Sequence, residues 1–134
     1  MLSYTIGQLA HRSDTGVETI RYYERTGLID APPRRASGYR AYPPDTVVRL
    51  RFIRRAKSLG FSLNDIKQLL ELRVVPGATC EDIRQRGVAK IADVRSKLRL
   101  LRQMERSLVR LVKACDGNAP TSECPILDAL TRDD

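Results

Sequence analysis

The chain has no tryptophan, a single histidine (His11) and only 5 % aromatic residues. One histidine excludes a His-rich metal centre, and no Ser-His-Asp arrangement can be built around it. His11 stands at the end of a short apolar-periodic stretch, where a cation suits the helix dipole or stays solvated. No glycine-rich phosphate loop is present. No apolar run approaches the roughly 18 residues of a membrane span, and no signal-peptide pattern opens the chain. These absences predict a non-enzymatic, cytoplasmic protein with no membrane partner. Cysteine is scarce too: Cys80, Cys115 and Cys124 are the only three. An odd set in a cytosolic chain points to metal binding or redox chemistry rather than a disulfide framework.

Charge is plentiful and uneven. Residues 1–75 hold 13 Lys/Arg against 7 Asp/Glu, whereas residues 76–134 hold 11 against 9. The basic half suggests a polyanion, and arginine dominates it. Arginine grips phosphates and guanine edges bidentately, which favours nucleic acid over a membrane surface.

The apolar pattern is helical almost throughout. Thr5 and Gln8 read as a capping box opening a short helix with Ile6, Leu9 and Ala10 inward. Thr15-Gly16-Val17-Glu18 repeats the signature and opens a second helix to about Arg25, ended by Gly27. Two short helices joined by a tight polar turn form a helix-turn-helix. Residues 28–42, with prolines, a glycine and basic residues between apolar ends, read as a hairpin wing. Pro43-Pro44-Asp45 starts a third helix, with Val48, Leu50, Phe52, Ile53 and Ala56 mostly facing the core. Ser62 to Asp65 caps a fourth, carrying Ile66, Leu69, Leu70 and Leu72. Pro76-Gly77 is the clearest boundary.

Residues 81–113 read as one long helix. Ile91, Val94, Leu98, Leu101, Leu108 and Val112 form an apolar stripe that a lone helix cannot bury, so the stripe predicts a homodimer. At about 1.5 Å per residue the helix ends lie roughly 50 Å apart, which separates Cys80 from Cys115 within one subunit. Antiparallel pairing would put Cys80, read as the N-cap, beside Cys115 and Cys124 of the partner. Cys124-Pro125 begins a short terminal helix with proline at its first position. Thiols at helix N-termini favour the thiolate that metals need, and three soft ligands suit a thiophilic ion.

In the second helix, Arg21 and Tyr22 lie near the start, where a recognition helix reaches bases and phosphates, while Tyr23 faces the core or the dimer. With Arg34, Tyr39 and Arg40 of the wing they make the candidate DNA contacts. The fold expected is all-α with a small β wing. Residues 1–75 form a winged helix-turn-helix DNA-binding domain and residues 76–113 a hinge and antiparallel coiled-coil dimerisation helix. Residues 114–134 form a metal-binding loop and short terminal helix.

On Val17-Glu18-Thr19-Ile20-Arg21-Tyr22-Tyr23-Glu24, Gly38-Tyr39-Arg40, Leu59-Gly60-Phe61-Ser62-Leu63 and Cys115 through Cys124-Pro125-Ile126-Leu127, the chain resembles the MerR family of bacterial transcription activators. The similarity spans nearly the whole chain. It implies a dimer bound to a promoter whose spacer is too long for RNA polymerase. Effector binding would then kink and untwist the spacer, an indirect readout driven by a ligand-biased protein state. Copper-type members have serine where this chain has Cys80, so Cys80 points to a divalent ion. Zinc sensors add a second cysteine after the first loop cysteine and a loop histidine, whereas Asp116 follows Cys115 here. The resemblance therefore puts Hg(II) first, with Pb(II), Cd(II) or Zn(II) as alternatives. Two readings from other classes remain: a thiol redox switch dimerising through the same helix, and a helical interaction module without DNA activity.

Overall fold

The computed structural model describes residues 2–32, 38 and 40–132. Among the described residues six α-helices follow one another: α1 Ile6–Ser13, α2 Val17–Arg25, α3 Pro44–Ser58, α4 Leu63–Leu72, α5 Cys80–Lys113 and α6 Pro125–Leu130. A 3-10 turn, Thr121–Glu123, precedes α6. The chain divides into two compact units, Met1–Arg86 and Gly87–Asp134, and the division falls inside α5.

The helix starts follow from local chemistry. At α1 the Gln8 N–H donates to Thr5 Oγ1 at 3.2 Å and the Thr5 N–H donates to Gln8 Oε1 at 2.9 Å, closing the box read in the sequence. Ser62 and Asp65 repeat it at α4, at 3.1 and 3.0 Å. The second helix departs from expectation: its N-cap is Gly16, which has no side chain to offer. Thr15 Oγ1 instead donates to the Ser13 carbonyl at 3.2 Å, so it closes the inter-helix turn rather than capping α2. Asp14 turns the chain there in the left-handed region, φ 52°. Gly27, at φ 81°, ends the α2 segment where a side chain would be strained.

The core lies in the first unit. Leu9 of α1, Ile20 and Tyr23 of α2, Leu28, Ile29, Tyr42, Val47, Leu50 and Ile53 of α3, and Ile66 of α4 pack into one buried cluster. Ser13 is buried among them and donates to the Leu9 carbonyl at 2.7 Å. Two residues expected inward are not: Val48 is 60 % exposed and Phe52 37 %. At about 100° per residue they sit roughly 160–200° around α3 from Leu50, on the far side from the core. The buried set on this helix is Thr46, Val47, Leu50, Ile53 and Ala56.

Only part of the expected wing falls among the described residues. Among the described residues the pairing is a single antiparallel bridge, Tyr4 to Tyr42, with both backbone hydrogen bonds at 2.8 Å. Tyr42 thus pairs with the segment before α1. Residues 33–37 and 39 lie outside the described residues.

At the start of α5 the reading of Cys80 as N-cap needs correction. Cys80 is the first helical residue. Thr79 precedes it, with its N–H donating to Asp82 Oδ2 at 2.8 Å and its carbonyl accepting from the Asp82 N–H at 3.1 Å. The carboxylate of Asp82 can return that bond; a thiol is a poor competitor for the capping position.

Ile53 is fully buried at the centre of this core. Ile53→Ala should cost about 2–5 kcal/mol of stability, the usual range for emptying a core isoleucine site. Urea unfolding followed by circular dichroism measures it.

Candidate nucleic-acid interface and thiol sites

The two faces of α2 divide the labour. Ile20 and Tyr23 are buried, fixing the helix on the core. Glu18, Thr19, Arg21, Tyr22 and Arg25 face outward. Arg21 pairs with Glu18 at 2.6 Å on the same face. The Arg25 guanidinium lies 5.9 Å from the Tyr22 ring centroid, and the Tyr22 and Tyr23 rings are 6.2 Å apart. Arg21 and Tyr22 are therefore presented to solvent by a helix whose opposite face is locked, while Tyr23 is core.

Arg40 closes back onto α2. Its Nη1 donates to Glu24 Oε2 at 3.0 Å. The Tyr42 hydroxyl donates to the other oxygen of the same carboxylate. A cleft of about 740 Å³ is bounded by Thr5 and Gly7 at the start of α1, by Arg21 and Arg25, and by Gly38 and Arg40. Three arginines on one cleft beside a helix N-terminus form a surface suited to anionic backbone. Of the expected contacts, Arg21, Tyr22 and Arg40 are on or beside this surface; Arg34 and Tyr39 lie outside the described residues.

Glu24 was missed by sequence reasoning as anything but part of a motif. The signal was present. A carboxylate in the last turn of a helix opposes the helix dipole, so it needs a compensating partner. Arg40 and Tyr42 are those partners.

Burial pushes the Tyr42 hydroxyl up to about 12 from its usual 10.0, reinforced by the hydrogen bond to Glu24 and its charge and opposed by Arg40 and Arg21. The fold thus favours neutral tyrosine.

The three thiols are free. Cys80 is exposed in the first turn of α5, and Cys115 lies two residues past its end, half-buried. Cys115 Sγ accepts from the Gly117 N–H at 3.4 Å. Cys124 is the N-cap of α6 and Pro125 its first residue, as the sequence suggested. Among the described residues no three His, Cys, Asp or Glu side chains of one chain converge to hold a metal ion. On α5 no residue is buried, and Ile91, Val94, Leu98, Leu101, Leu108 and Val112 are 41–63 % exposed.

The family pattern described as "MerR HTH family regulatory protein" matches residues 4–72, and the pattern "MerR, DNA binding" matches residues 47–111. The chain belongs to the MerR family. It is 42 % identical over 131 residues to a mercuric resistance operon regulatory protein of Bacillus cereus, covering 98 % of this chain and 99 % of that one. The transcription regulator PbrR691 of Ralstonia metallidurans, solved with lead(II), is 39 % identical with a TM-score of 0.82, over 93 % of this chain and 97 % of that one. The MerR regulator of Bacillus megaterium, solved with mercury(II), is 40 % identical with a TM-score of 0.73, over 96 % of this chain and 100 % of that one. As a MerR-family metal-responsive regulator, the chain is a transcription factor and not an enzyme. No helix among its described residues is long and apolar enough to cross a membrane.

The Tyr42 shift sets a pH window. Neutral Tyr42 contributes stability that is complete below its unfolded value of 10.0 and is lost as pH rises through about 12. The urea midpoint should fall across that window, and Tyr42→Phe should show a shallower fall. Parallel slopes for the two proteins would remove Tyr42 as the cause.

Proposed function

We propose that the protein is a cytoplasmic homodimeric promoter-binding regulator. Each of its two effector sites takes Cys80 from one subunit and Cys115 with Cys124 from the other. The observation that carries the reading is that the thiols of one chain form no three-ligand group, although all three are free and α5 leaves an apolar stripe uncovered. A 34-residue helix is about 50 Å long, so antiparallel pairing is the arrangement that returns Cys80 to the other two.

The donor set fits a soft ion. All three proposed ligands are sulfur, with no fourth cysteine in the chain and no histidine between Cys115 and Cys124. That chemistry favours Hg(II) over tetrahedral Zn(II), with Pb(II) and Cd(II) sharing the same preference for thiolate. A mercury regulator and a lead-bound regulator at comparable identity both support a metal effector. The bound ion cross-links the two subunits at each end of the coil. Bound to a promoter with an overlong spacer, the dimer would respond by distorting the DNA so that RNA polymerase can engage both promoter elements. Arg21, Tyr22 and Arg40, with Arg34 and Tyr39, supply the DNA contacts.

Assembly is tested by replacing Leu98 and Leu101 with Asp. Each buried leucine contributes about 1.5–3 kcal/mol, so the variant should sediment as a monomer at micromolar concentration. A wild-type monomer under those conditions contradicts the dimer.

The site is tested by mixing subunits. Cys80→Ser chains combined with chains carrying both Cys115→Ser and Cys124→Ser keep one complete inter-subunit site and lose the other. The heterodimer should bind one Hg(II) with the ultraviolet charge-transfer bands of three thiolates. Each mutant homodimer should lack those bands. A monomeric chain that still shows all three thiolates sinks the shared site. The same titration with Pb(II), Cd(II) and Zn(II) ranks the ions.

A further inference from the structure

We propose that Glu24 is a positioning residue for DNA recognition: it holds Arg40 in the orientation that engages the operator backbone. The proposal rests on the reading of Arg40 as a DNA contact. Glu24 is one of two acids on a recognition helix that presents Glu18, Thr19, Arg21, Tyr22 and Arg25 to solvent, and Glu18 is paired with Arg21 on that face. An acid in such a place repels phosphate, so a solvated Glu24 would weaken DNA binding. It is not solvated. Its side chain is 12 % exposed, and each of its two oxygens has a partner. One is the Tyr42 hydroxyl, whose ring is fully buried and whose backbone is pinned to Tyr4. The other is Arg40, 32 % exposed.

That arrangement gives the carboxylate a fixed seat and Arg40 a fixed tether. The Glu24 contact uses Nη1 of Arg40, and a guanidinium carries five N–H donors, so one such contact does not exhaust what it can offer phosphate oxygens. An arginine held this way loses less rotamer freedom when it meets DNA than one on an untethered wing. The carboxylate also ties the wing root to α2. A displacement of either therefore moves both, and the two DNA-contacting segments approach the duplex in one register. Neither the hydrogen bond to Tyr42 alone nor the ion pair alone would do this.

A double-mutant cycle on the full-length dimer tests it, with operator DNA affinity measured at fixed salt. Arg40→Ala should weaken binding, and it should lower the log–log salt slope by about 0.9 if one phosphate contact is lost. Glu24→Gln keeps an acceptor for Tyr42 and removes the charge that holds Arg40. It should weaken binding about fivefold to tenfold in the wild-type background and less than about twofold in the Arg40→Ala background, the non-additivity expected of directly coupled side chains. An equal penalty in both backgrounds assigns Glu24 a purely structural part and overturns the proposal. So does a Glu24→Gln variant that binds as tightly as wild type or tighter, since Glu24 would then only mask Arg40. Unchanged affinity for Arg40→Ala, read from that variant alone, removes the wing contact itself and the proposal with it. Should Glu24→Gln not fold by circular dichroism, Glu24→Asp is used under the same criterion, because it withdraws the carboxylate by one methylene.

Discussion

The apolar stripe along α5 has no cover within its own helix, and water is a poor neighbour for it. Ile91, Val94, Leu98, Leu101, Leu108 and Val112 are each roughly half exposed. At about 1.5–3 kcal/mol for each such side chain fully buried, the incentive to pair exceeds what a helix of this length gains from its surface ion pairs. Those pairs, among them Lys97 with Asp93 at 3.0 Å and Arg84 with Glu81 at 3.2 Å, support the helix locally. They do not cover the stripe. On the proposed reading a dimer answers that need and brings the thiols at and beyond the helix ends together.

The first unit has a different logic. Its core is made by short helices, each too short to persist alone, joined by reciprocal caps and sharp turns. Burying Ile20 and Tyr23 fixes which face of α2 remains outside. Glu24 then extends that order to the wing root through Arg40 and Tyr42. The base of the proposed recognition surface is thus tied together through one half-buried acid.

Much of this was legible from residue order. The boxes at Thr5 and Ser62, the long helix, and proline after Cys124 are local signals, and local chemistry decides them. The departures come where tertiary or competing local effects intervene. Val48 and Phe52 are apolar, yet the helix phase set by Leu50 and Ile53 turns them away from the core. Thr15 looked like a cap, but its hydroxyl was needed by the preceding turn, so Gly16 holds that position bare. Cys80 gave way to Thr79 because Asp82 could bond back to the residue before the helix. The pairing of Tyr42 with Tyr4 joins residues far apart in sequence, and no periodicity reports such a partner. The family was readable from its motifs; the ion was not, because three cysteines accept several soft metals.

The absence of a three-thiol group within one chain has a thermodynamic side. On the shared-site reading, ion and subunit are linked ligands of the same protein: whatever favours pairing favours metal, and metal favours pairing to the same degree. A newly made single chain is then a weak competitor for soft ions. Sensing begins only when enough chains have accumulated to pair. The apparent metal threshold of the regulator would accordingly be set by its own abundance as well as by its three sulfurs, so that its expression level tunes its sensitivity.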